Sequence, residues 1–379
     1  MRGRPAYLDC NATTPIDPRV RDVMLTYIDD EFGNAGSRTH VWGTDAAKAV
    51  NQARAQVSDV VKREPSEVIF TSGATESNNL AILGLAEYGE QSNKRHIVST
   101  QIEHKAVLEP LEFLGSKGFE IELLRPNSAG FIEPDQLRKA LRKDTLLVSV
   151  MHVNNETGVI QPIAKIADVL QDHEAYLHVD AAQGFAKDLE PIKHSRIDLI
   201  SISGHKVYGP KGVGTLIVRT SSNRRIPLTP LYHGGGQERG LRPGTHPVFL
   251  IAGLGEAASL LKKENSLWHE KCEKIKTALL TALNEVDAKL NGDQTHCLPN
   301  TLNFYIPGIE SEALILAVRD DFAISNGSAC TSDKMTPSHV ISAMHPNSEI
   351  AQWSVRVSWS HLTHAQDFSA FPRAIKSLL

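Results

Sequence analysis

The chain has 379 residues, 41% of them apolar and 22% charged, with 40 Lys and Arg against 44 Asp and Glu and a formal net charge of -4. That profile fits a soluble globular protein of about two domains and excludes collagen, disorder and coiled coil. The mild acidity gives no broad basic field, so direct binding of nucleic acid or of an anionic membrane is not expected, and a small substrate is.

The first nine residues begin basic and turn polar without the apolar stretch of a signal peptide. No later run approaches the ~20 apolar residues of a membrane span, so a cytoplasmic protein is expected. There the four cysteines, Cys10, Cys272, Cys297 and Cys330, should be reduced; their wide spacing, with no Cys-x-x-Cys, argues against disulfides and structural zinc. Asp17 and Pro18 read as the N-cap and first position of a helix carrying Val20, Val23, Met24, Tyr27 and Ile28. Between about 66 and 220, Val- and Ile-rich runs at 67–71, 96–100, 145–152, 175–180, 198–203 and 214–219 alternate with helical patterns. This predicts an α/β fold of βαβ units on a mostly parallel sheet. After about 250 the texture changes. Trp268, Cys272, Ile275, Leu279 and Leu283 mark a long helix, and strands at 301–306 and 354–360 flank a Gly- and Ser-rich loop at 325–332, as in a smaller α+β domain. No repeat or Pro-rich linker separates the two, so they should pack closely.

The chemistry is concentrated at strand ends. The strand at 198–203 runs into Ser203-Gly204-His205-Lys206 and a Gly-rich turn. A lysine there is desolvated, which lowers its pKa and makes Lys206 a candidate Schiff-base amine, although a lone lysine more often snorkels to solvent. A Walker A loop fails, because Pro210 stands where its lysine must be. Asp180 ends a nearby strand. A carboxylate and an amine in one crevice suit pyridoxal phosphate, which needs an amine for its aldehyde carbon and an acid for its ring nitrogen. The two residues alone suit a structural ion pair equally well. The segment at 68–82 favours the cofactor: strand, small-residue turn and helix would aim the N–H groups of Ala74 and Thr75 at a phosphate. The lack of a G-x-G-x-x-G after a first strand sets nicotinamide aside.

His104-Lys105 follows another strand. No Gly-rich turn follows Lys105, so His104 is the expected functional member, stacking on the cofactor ring and moving protons, with a core histidine as the alternative. Cys330, among small polar residues, reads as an exposed, mobile nucleophile, whereas Cys272 falls on a helix's apolar stripe. Thr336-Pro337 reads as the start of the next helix. Arg356 alternates with Val355, Val357 and Trp359, which puts its fork on the polar face of a strand, suited to a substrate carboxylate or simply solvated.

Taken together, these residues resemble the pyridoxal-phosphate cysteine desulfurases of the NifS/IscS type. The resemblance runs from Tyr7-Leu-Asp-Cys-Asn through 71–78, Glu103-His-Lys, 151–158, His178-Val-Asp, 203–212 and 234–245 to Ser328-Ala-Cys-Thr-Ser. It implies a fold-type I pyridoxal enzyme and a homodimer. A large cofactor-binding domain would span 16–255, and a small domain, residues 1–15 with 256–379, would carry the cysteine loop. Carried onto matching positions, Lys206 forms the Schiff base, Asp180 and Gln183 meet the ring nitrogen and hydroxyl, and Asn155 holds cofactor and substrate. Ala74, Thr75, Ser203 and His205 bind the phosphate with Thr245 of the other subunit; His104 stacks and Arg356 holds the carboxylate. The implied reaction converts L-cysteine, through a cofactor ketimine, to alanine and a persulfide on Cys330. The sulfur then passes to an acceptor protein serving iron–sulfur assembly, tRNA thiolation or DNA phosphorothioation. No resident metal is implied, a transient iron–sulfur ligand role for Cys330 being left open. A selenocysteine lyase or other pyridoxal aminotransferase or lyase is the enzyme alternative, and a non-catalytic subunit of a sulfur-transfer complex the alternative of another class. Asn326 in place of a serine, and Val-Ser-Trp-Ser-His after Arg356, depart from the family pattern.

Overall fold

A seven-stranded sheet organises the protein, seen in a computed structural model that describes residues 4–379 except 186, 222–223, 328–336 and 365–366. Its strands are β1 (Val68–Thr71), β2 (His96–Thr100), β3 (Glu120–Leu124), β4 (Thr145–Met151), β5 (Tyr176–Asp180), β6 (Leu199–Ser203) and β7 (Gly214–Val218). They lie in the order β1-β7-β6-β5-β4-β2-β3, and all neighbours are parallel except β7, which is antiparallel to β1 and β6. All but β3 are buried along their length, which is why they read as continuous Val and Ile runs rather than as alternation. The α/β expectation therefore holds, with one strand added. Edge strand β3 escapes the sequence reading because only Leu124 of its five residues is buried and Glu120 and Glu122 face water, the charged habit of a protected edge.

Helix α1 (Pro18–Leu25) starts as expected: the Asp17 carboxylate accepts from the Arg19 N–H at 2.9 Å, and Pro18 occupies a position that needs no donor. Helices α2 (Ala74–Leu83) and α3 (Lys105–Ser116) follow β1 and β2. Helix α4 (Val248–Asn284) is longer than its sequence stripe suggests and serves two cores. Its residues from Val248 to Trp268 pack with the large sheet's core; Cys272, Leu279 and Leu283 join a second core with Leu8, Phe304, Val355, Val357 and Trp359. Beneath that second core lies a small antiparallel sheet of β8 (Lys289–Leu290), β9 (Thr301–Tyr305) and β10 (Val355–Ser358), in that order. Residues Ala6 and Tyr7 pair with Phe322 and Ala323, tying the N-terminus to the same core. Helix α5 (His339–Met344) begins later than Thr336-Pro337 suggests, because the Ser338 hydroxyl supplies the cap, accepting from the Ile341 N–H at 3.0 Å. Among the described residues no helix is long and apolar enough to cross a membrane.

Candidate active site

Five strands deliver chemistry at their C-terminal ends. Ala74 and Thr75 follow β1, His104 follows β2, Asn155 follows β4, Asp180 ends β5, Ser203 ends β6, and His205 and Lys206 follow it; all of them line one cavity of about 650 Å³. Such a crevice, at the carboxyl ends of an open sheet, is where α/β folds bind ligands. Gln183 and Arg356 line it too. Cys330 lies outside the described residues. Thr245 is exposed and does not line this cavity.

The turn after β1 packs closely on the sheet and leads into an uncapped helix. Gly73 has φ +152°, a conformation that favours glycine, and a Cβ added to Gly214 on β7 would come within 2.6 Å of the Gly73 Cα, so the turn sits directly on the sheet. No side chain caps α2, which leaves the amides of its first turn, with the positive end of its dipole, to meet a phosphate. His205 stands nearby with Nδ1 3.2 Å from the Thr13 hydroxyl; burial, then Lys206 and Lys211, push its imidazole down to about 4, so it is neutral at pH 7.

Asp180 is held rather than loose. Its Oδ2 accepts from Asn78 Nδ2 at 2.7 Å and its Oδ1 from the Ala182 N–H at 2.9 Å. Beneath it His178 bridges Ser149 and Ser201 at 2.8 and 2.9 Å, kept neutral by burial that lowers its pKa to about 4. The Lys206 ammonium donates to the carbonyls of Asn11 and, at 2.8 Å, of Ala12, so its tip is in the cavity rather than snorkelling away. His104 caps α3 by accepting at Nδ1 from the Ala106 N–H at 3.1 Å, which puts the neutral ring's proton on Nε2. Burial lowers its pKa, Asp180 opposing and Lys206 reinforcing the shift.

Arg356 is buried, so the solvated reading fails. It donates to Asp9 Oδ1 at 2.7 Å, the Ser325 hydroxyl at 2.9 Å and the Asn155 carbonyl at 3.1 Å, and its Nε has no partner among the described residues. Two residues that sequence reasoning missed complete the wall. Asn11 donates to the Asn155 carbonyl at 3.0 Å and to Thr301 Oγ1 at 2.9 Å, and its own carbonyl accepts from Gln183 Nε2 at 2.9 Å. Asn78 carries the Asp180 bond. No sequence signal marked it, because it stands among the polar residues Thr75, Glu76, Ser77 and Asn79 of α2.

Residues 6–371 match the family described as aminotransferase class-V. The chain belongs to that family. Among its relatives in the family is the cysteine desulfurase IscS of Methylococcus capsulatus, 43% identical over 364 residues that make up 96% of this chain and 89% of that protein. Among solved structures a NifS-like protein superposes with a TM-score of 0.89 at 35% identity, covering 99% of this chain and 98% of its own. DndA from Streptomyces lividans does so with a TM-score of 0.82 at 48% identity, covering 93% and 99%. Within the class-V family, then, the relatives are desulfurases of the NifS/IscS type, as the motifs indicated, and the sheet they share is the one described above. The departure after Arg356 adds no residue to the cavity lining: His361 stacks on Trp268 with centroids 3.9 Å apart and planes at 4°, in the core.

Proposed function

We propose that the protein is a pyridoxal-phosphate-dependent L-cysteine desulfurase that leaves alanine and a persulfide on Cys330. The observation that carries this reading is the convergence of Lys206, Asp180, His104 and the uncapped start of α2 on one cavity, in a chain whose relatives bear the desulfurase name. The donor set fits the cofactor. The α2 amides suit its phosphate, the Asp180 carboxylate its ring nitrogen and Gln183 its ring hydroxyl. The buried Oδ1 atoms of Asn11 and Asn78, which lack partners among the described residues, leave acceptors in the same wall. When bound, the cofactor supplies an electron sink for charge that develops at the substrate α-carbon.

The chain's own residues do the rest. The Lys206 amine takes the α-proton and returns it. Asp180, fixed by Asn78, keeps the ring nitrogen protonated. Arg356 offers its fork to the substrate carboxylate, and Asn155 orients the substrate. Cys330 attacks the substrate sulfur: the S–S bond forms as the carbon–sulfur bond breaks, and a proton replaces sulfur on what becomes alanine.

A homodimer completes the phosphate site through Thr245, and the exposed, stacked Phe32 and Trp42 beside Val41 support a second copy as the cover for that face. A cytoplasmic location accords with Cys10, Cys272 and Cys297 forming no disulfide among the described residues. The acceptor is a sulfur-carrying protein. The fold divides within α4 into a large cofactor domain and a small one that includes the N-terminal residues and the Cys330 segment. Cys330→Ser decides the mechanism: alanine release from cysteine should cease while the cofactor's colour remains. Continued release without added thiol would favour a lyase that needs no loop nucleophile.

A further inference from the structure

Residues 328–336, which carry Cys330, lie outside the described residues, yet both flanks of that segment are described and both meet one carboxyl group. On the N-terminal flank Gly327 has φ +88°, and a Cβ there would stand 2.7 Å from Glu156 Oε2, so its bare Cα packs on the Glu156 side chain. On the C-terminal flank the Ser338 hydroxyl donates to the same Oε2 at 2.5 Å. Glu156 is 2% exposed, and burial pushes its pKa up against the pull of Ser338, His339 and Arg356.

Further bonds repeat the pattern. The Ser325 hydroxyl accepts from Arg356 at 2.9 Å, and His339 Nε2 donates to the Glu103 carbonyl at 2.9 Å. Glu156 adjoins Asn155 in the chain, Glu103 adjoins His104, and Arg356 is itself in the cavity. Each flank is thus tied to a cavity residue or to its chain neighbour. Gly327, Glu156 and His339 also wall a second cavity of about 720 Å³ that shares His104 and Asn155 with the first.

We infer that Glu156 is a positioning residue that pins both flanks of the Cys330 segment to the rim of the cofactor cavity and so sets the reach of the thiol. The inference rests on the reading of Cys330 as the residue that takes the sulfur. Misplacing a reacting group by about 1 Å costs up to about a hundredfold in rate. Glutamine, isosteric with the neutral acid that burial favours, keeps an acceptor for Ser338.

The test uses holoenzyme mixed with L-cysteine and two readouts: the cofactor absorbance change on cysteine binding, and persulfide on Cys330 measured by alkylation and mass spectrometry. Glu156→Ala should keep the absorbance change at the same cysteine concentrations and slow persulfide formation by about ten- to a hundredfold; Glu156→Gln should return it to near the wild-type rate. Wild-type persulfide formation by Glu156→Ala, or equal failure of Ala and Gln, overturns the inference. Should Glu156→Ala not take up cofactor, Gly327→Ala, whose methyl group would press on the same carboxyl, should show the same split. An unchanged rate there, or joint loss of both signals in the two variants, overturns it too. Wild-type protein that forms no persulfide on Cys330 overturns the reading on which the inference stands.

Discussion

Replacing Glu238 by glutamine should destabilise the protein at neutral pH by about 2–3 kcal/mol, an effect that fades in acid. The side chain is buried and fully engaged: Oε1 accepts from Arg54 at 2.6 Å and His246 at 2.7 Å, and Oε2 from Arg54 at 2.9 Å and the Phe70 N–H of β1 at 2.8 Å. Burial raises the carboxyl's pKa, but the bonds from Arg54 and His246 outweigh it and hold the group at about 2 instead of 4.5. At about 1.4 kcal/mol for each tenfold change in proton affinity, that fall is worth roughly 3 kcal/mol, and partial exposure of Arg54 lowers the figure somewhat. Because the folded pKa lies below the unfolded one, the contribution is complete above about 4.5 and is lost as pH falls toward about 2. Glutamine keeps the shape and loses the charge. Urea unfolding of wild type and Glu238→Gln between pH 7 and pH 3 measures the gap. A gap under about 0.5 kcal/mol at pH 7, or one that does not narrow on acidification, refutes the argument that the ion pair clamps β1 to the segment leading to Thr245.

Lys206→Ala should abolish turnover and leave the urea midpoint nearly unchanged; residual activity near the wild-type level would move the amine to Lys105. Arg356→Lys keeps the charge and loses the fork, so KM for cysteine should rise about tenfold with kcat little affected, and an unchanged KM would remove the guanidinium from substrate binding. Because burial lowers the His104 pKa, the acid limb of kcat/KM should have its midpoint below the ordinary imidazole value of 6.5 and should be absent in His104→Gln. A midpoint above 6.5 in the wild type would show the ring to be cationic when it acts.

The residues at the ends of the buried strands were legible because two local signals coincide there: a continuous Val and Ile run, and the break in it where a polar residue must stand. Asp180 after Leu177 and Val179, and Lys206 after Ile200 and Ile202, are of this kind. Asn11 was not legible. Its partners Asn155 and Thr301 are 144 and 290 residues away, and no local pattern encodes a bond over such a span. Strand β3 failed for the opposite reason, since its exposed glutamates hide a strand that the sheet needs only as an edge. The second core was half legible: the stripe Trp268, Cys272, Leu279 marks α4, but not that the helix passes from one core to the other between Trp268 and Cys272.

Strand β10 shows how the chain departs from its family's pattern without disturbing the site. Val355, Val357 and Trp359 face the second core, and the Trp359 indole donates to the Cys272 carbonyl at 3.0 Å. The alternate residues face the cavity side, where Arg356 meets Asp9 and the Ser358 hydroxyl accepts from the Asn11 N–H at 2.9 Å. A strand's period of two separates these faces, so a change to Trp359 and His361 repacks one side while backbone pairing of Arg356 with Asn303 and Ser325 fixes the register on the other. Register, rather than identity of the neighbouring side chains, is what the arginine requires. The same logic holds at the flanks of the Cys330 segment, where Ser338, His339 and Ser325 are fastened by Glu156, Glu103 and Arg356, residues distant in the chain.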